Sequence, residues 1–97
     1  MELELEFDGE VIHWRGPSPY WFVPVPDAEA GALRAASPLV SYGWGVIPVT
    51  VLLGRTRFTT SLFPRDGGYV VPLKVAVRRA ERVELGDRVH LAMLIEP

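Results

Sequence analysis

From Glu2 to Asp8 acidic and apolar residues alternate, which at a side-chain period of two puts Leu3, Leu5 and Phe7 on one face and four carboxylates on the other. This pattern predicts a strand with a solvated acidic face. Gly9 is placed for a bulge, and Glu10 to Trp14 continues toward a turn at Arg15-Gly16-Pro17-Ser18-Pro19. Tyr20 to Val25 is aromatic and β-branched, as expected of a strand covered on both faces, and Pro24 suggests an edge or a break in the ladder. Pro26-Asp27 supplies helix-start chemistry for a short helix over Ala28–Ala36, whose small residues need packing to hold it.

Ser37 to Trp44 reads as a loop. Val46 to Leu53 is the most apolar segment and predicts a central strand, with Ile47, Val49, Val51 and Leu53 on one face. Gly54-Arg55 makes a tight hairpin into Thr56–Phe63, in which Thr56, Phe58, Thr60 and Leu62 share a face. Pro64-Arg65-Asp66-Gly67-Gly68 is a turn, followed by a strand over Tyr69–Leu73 and a second short helix over Lys74–Arg82. Leu85-Gly86-Asp87 opens a last strand with Val89, Leu91, Met93 and Ile95 in one row.

The segments beginning Trp21-Phe22-Val23-Pro24-Val25 and Tyr69-Val70-Val71-Pro72-Leu73 share one order: aromatic, two apolar, proline, apolar, helix, then a strand led by Gly45 or Gly86. We read them as two strand–helix–strand halves related by a pseudo-twofold axis. In the second half, Val71-Pro72-Leu73, Val77-Arg78 and Leu85-Gly86-Asp87-Arg88-Val89 resemble the strand, helix and Gly-Asp turn of AbrB/MazE-type swapped-hairpin proteins. Lys74 departs from that pattern, which usually carries proline there. A physical reason stands beside the resemblance: glycine tolerates positive φ where the chain reverses, and an aspartate side chain can accept the backbone N–H bonds that close such a turn.

From Phe7 onward the chain also resembles a bacterial family of uncharacterised domains, domain-of-unknown-function family nineteen-oh-five. The likeness rests on Trp14 to Tyr20, Phe22 to Pro26, Tyr42 to Val49, Thr60 to Pro64, Gly67-Gly68-Tyr69, Ala76 to Ala80 and Gly86 to Val89. It implies a mainly β fold, a six-stranded double-split β-barrel with two short helices, and no established activity. Some relatives carry a YdeI/OmpD-associated segment, for which this chain is too short.

Ninety-seven residues at 10.8 kDa suit a single domain spanning 1–97. Hydrophobic residues at 48% and charged ones at 23% exclude disorder, and no apolar run reaches the roughly 18 residues of a membrane helix. The absence of cysteine removes disulfides, thiolate nucleophiles and cysteine metal sites together. The acidic amphipathic start is unlike a signal peptide, so a cytoplasmic location is expected. The net charge of −2 hides a split: residues 1–53 carry two bases against seven acids, and residues 54–97 carry eight bases against five acids.

No catalytic constellation emerges, so a non-enzymatic domain without cofactor or metal is expected. His13 and His90 lie in separate strands without metal-binding spacing, and Ser61 has neither a nucleophile elbow nor a base. The aromatic residues Trp14, Tyr20, Trp21, Tyr42 and Trp44 around the two turns need packing partners in a small barrel. They also suggest a ligand site for a small anionic or planar molecule, formed by Trp14, Arg15, Tyr20, Tyr42 and Trp44 with Arg57 or Arg78 supplying charge. A small-molecule or protein partner is therefore expected. The alternative is an AbrB-like DNA-binding regulator using the basic second half, against which the acidic first strand and net charge weigh.

Overall fold

Alternation in the sequence becomes alternation of burial in the structure. The computed structural model describes residues 2–14, 20–40 and 45–96. Among these, the elements run β1 (Leu3–Glu10), β2 (Ile12–Trp14), β3 (Tyr20–Pro24), α1 (Asp27–Val40), β4 (Ile47–Leu53), β5 (Thr56–Arg65), β6 (Gly68–Leu73), α2 (Val75–Ala80) and β7 (Arg88–Ile95). In β4 the odd-numbered row from Ile47 to Leu53 is buried, and in β7 Leu91, Met93 and Ile95 are buried.

The strands form one antiparallel sheet in the order β1-β7-β4-β5-β6-β3-β2, curled into an open half-barrel. Two features produce the curl. β5 is long enough to serve both halves, pairing with β4 over Thr56–Leu62 and with β6 over Phe63–Arg65. The segment preceding Arg15 is likewise divided, with β1 on β7 and β2 on β3, so consecutive strands stand at opposite ends of the strand order.

The architecture corrects the expectation of six strands in a closed barrel: the described residues form seven strands in an open sheet. The division falls at Val11. Its N–H donates to the Asp87 carbonyl and its own carbonyl accepts from the Gly86 N–H, both at 2.9 Å, so it leaves the regular ladder and the chain changes partner. Gly9 permits the crossing, because a Cβ there would stand 2.5 Å from Val23 Cγ1 and 3.2 Å from the Pro24 carbonyl oxygen. The helices of the two expected halves are unequal, at fourteen and six residues.

Helix α1 runs to Val40, past the expected end at Ala36. Pro38 lacks an N–H and costs the helix one internal bond, but Ala30, Leu33, Ala36 and Val40 form one buried face that continues beyond it. Packing thus overrides the local stop signal. β3 also departs from expectation: Val23 is buried and Trp21 half-buried, whereas Tyr20 and Pro24 are exposed, so the face of Trp21 and Val23 is the better covered of the two. The turn expected over residues 64–68 narrows to Asp66-Gly67. Their φ values of 51° and 79° match a two-residue hairpin turn with both central residues left-handed, leaving Pro64 and Arg65 in β5.

The core contains Leu33, Leu62, Val71, Leu73 and Leu91, all inaccessible to solvent, and no buried polar or charged residue among the described residues. The chemistry available to this fold therefore lies at its surface.

Candidate functional site

Helix α2 is anchored on the core by one buried side chain, Val77. At its start Lys74 Nζ donates to the Thr59 carbonyl at 2.7 Å, tying the helix entry to β5. Its exit is a Schellman motif: Val83 N–H donates to the Arg78 carbonyl at 2.9 Å and Arg82 N–H to the Arg79 carbonyl at 3.3 Å. Arg82 occupies the left-handed position of that motif, with φ 54°, where glycine is usual.

This exit gathers Arg78, Arg79 and Arg82 around Trp21 of β3. They line an open cleft of about 640 Å³ together with Val75, Val83 and Glu84. The Arg78 guanidinium carbon lies 4.1 Å from the Trp21 ring centroid, a cation–π contact that fixes the cation over the indole. Arg78 Nε is buried without a hydrogen-bond partner. An unsatisfied buried donor costs about 1–3 kcal/mol, so this N–H would gain from an acceptor.

The neighbouring carboxylates do not neutralise the cluster. Glu81 accepts a hydrogen bond from Thr56 Oγ1 at 2.6 Å, and Asp87 accepts one from the Glu84 N–H at 2.9 Å, closing the Gly86 turn through the aspartate side chain. Among the described residues, none of the three arginines has a carboxylate within ion-pair distance. Arg78 and Arg79 lie in the last turn of α2, where the helix dipole favours cations, and the guanidinium fork matches carboxylate or phosphate oxygens.

The residues singled out from sequence are dispersed. Trp14 and Tyr20 face each other across the β2–β3 pair, both about two-fifths exposed, at 40% and 41%. Arg65 supplies the cation over Trp14, at 4.2 Å, and Tyr20 packs near Phe22 with ring centroids 5.5 Å apart. Arg57 is exposed on the half of the sheet built with β4, and Arg78 belongs to the Trp21 cleft. Arg15, Tyr42 and Trp44 lie outside the described residues.

Arg79 and Arg82 complete the cleft with Trp21, which the sequence groups with the aromatic residues near the turns but not with the candidate ligand residues. The signal for the two arginines in the sequence is the close spacing of Arg78, Arg79 and Arg82 within the basic second half. Elsewhere, His90 Nδ1 lies 2.7 Å from Asp8 Oδ1 and His90 Nε2 lies 3.8 Å from Glu6 Oε2, all three side chains being mostly exposed. Among the described residues, no group of three or more histidine, aspartate or glutamate side chains is arranged to hold a metal ion.

Residues 7–93 match the family model described as Domain of unknown function (DUF1905). The chain belongs to this family. No curated protein matches it. The matched span of the DUF1905 domain includes Trp21 and all three arginines of the cleft. Among its described residues, no helix is long and apolar enough to cross a membrane.

Proposed function

We propose that this DUF1905 domain is a non-catalytic binding module for a small oxyanion of the carboxylate or phosphate class. Arg78 holds its place by stacking on Trp21, while Arg79 and Arg82 supply charge at the mouth of the cleft. The observation that carries this reading is the Arg78 Nε–H, buried and without an acceptor beside two further arginines that have no ion-pair partner among the described residues.

Quasi-equivalence of the two strand–helix–strand segments belongs to the same proposal. It is supported by the register that places Val23 opposite Val71, the matching positions of the two sequence patterns. On this reading Trp21 and Tyr69 are counterparts, and the larger ring at position 21 gives the Arg78 guanidinium a platform.

Isothermal titration with inorganic phosphate, pyrophosphate and a tricarboxylate tests the assignment. Saturable binding of at least one oxyanion, abolished by Arg79→Glu with Arg82→Glu, is expected. Absence of binding across the panel contradicts it. The same titration with mixed duplex DNA separates the two readings: tight, salt-dependent duplex binding without small-anion binding would favour the nucleic-acid regulator.

A further inference from the structure

A second cleft, of about 590 Å³, lies on the outer face of the sheet where β1, β7, β4 and β5 stand side by side. Its residues fall into two rows fixed by strand register. One row runs Glu6, Ala92, Leu52, Arg57; the other runs Glu4, Leu94, Thr50, Thr59. Each row carries a carboxylate at the β1 side; the first has an apolar centre and ends in a guanidinium at the β5 side, and the second sets Leu94 beside Thr50. Leu52 is 39% exposed, large for an aliphatic side chain at the middle of a sheet face.

We infer that this face is the interface of a homodimer, two copies packing sheet to sheet about a twofold axis that runs parallel to the strands between β7 and β4. The arrangement of charges selects both occupant and axis. Rotation about that line exchanges the β1 and β5 sides of the facing copy, so Glu6 of each chain meets Arg57 of the other. A twofold axis across the strands would instead set carboxylate against carboxylate. Glu6 and Arg57 are three strand spacings apart, about 14 Å, which leaves the apolar centre between the two charge pairs.

Side-chain size obeys the same symmetry. Leu52 meets Ala92 and Leu94 meets Thr50, so each large residue faces a smaller one and the two surfaces can interdigitate. Arg57 has no ion-pair partner within its own chain among the described residues, and Glu6 has only the 3.8 Å contact with His90 Nε2. The interface cleft shares no lining residue with the Trp21 cleft and does not depend on oxyanion binding.

Sedimentation equilibrium of the full chain, from micromolar to near-millimolar concentration, tests the inference through paired charge exchanges. The wild type should self-associate as a dimer. Glu6→Arg and Arg57→Glu should each weaken self-association about tenfold or more, because like charges then face each other. Mixing the two variants should restore dimers, since each supplies the charge the other lacks. A wild type that stays monomeric throughout overturns the inference, as does a dimer that neither exchange weakens. Failure of two folded, singly impaired variants to associate on mixing also overturns it; circular dichroism establishes folding.

Discussion

The guanidinium of Arg78 covers the indole of Trp21 at 4.1 Å, joining a helix in the second half of the chain to a strand in the first. This contact arranges the cleft. It holds a flexible cationic side chain in one place and buries its Nε–H away from any protein acceptor among the described residues.

Replacing Arg78 by lysine keeps the charge and loses the planar stack. A loss of about 0.5–1 kcal/mol is expected, measurable as a lower urea midpoint at unchanged slope. Oxyanion affinity should fall further than the surviving charge alone would imply, because the oriented donor is gone. Equal stability and equal affinity in the lysine variant would show that stacking contributes nothing.

Arg82 occupies a left-handed conformation that costs a non-glycine residue about 1–2 kcal/mol. Arg82→Gly should therefore stabilise the domain by about 1 kcal/mol in urea denaturation while weakening oxyanion binding. Opposite signs in the two measurements distinguish a residue kept for charge from one kept for structure.

Gly9→Ala brings a methyl group against Val23 Cγ1 and the Pro24 carbonyl at the crossing of β1 and β3. The backbone must part there, at a cost of about 1–3 kcal/mol. Thermal denaturation should show the loss without a change in the folded far-UV spectrum.

Leu33 is inaccessible to solvent and central to the buried face of α1. Leu33→Ala should cost about 2–5 kcal/mol, enough to leave so small a domain marginal. A cost below 1 kcal/mol in chemical denaturation would mean that α1 is not part of the cooperative core.

Strands were legible in the sequence wherever one face is buried. The rows Leu3-Leu5-Phe7, Ile47 to Leu53 and Leu91 to Ile95 declare their strands because period-two alternation coincides with burial. The role of Asp87 was legible for a local reason, since its carboxylate reaches a backbone N–H only three residues away. The extension of α1 through Pro38 was not, because the stop signal is local and the packing of Val40 is tertiary. The split at Val11 depends on hydrogen bonds to Gly86 and Asp87, more than seventy residues distant. The cleft followed the same rule: its arginines are neighbours in sequence, but Trp21 joins them only through the fold.

Observation of the Arg78 Nε–H in proton–nitrogen spectra during addition of inorganic phosphate or pyrophosphate tests the oxyanion site most directly. The domain should show a saturable shift at Arg78, with Trp21 ring signals moving in step, and no shift in Arg79→Glu with Arg82→Glu. An Arg78 signal unmoved by either anion, or moving equally in that variant, would contradict it.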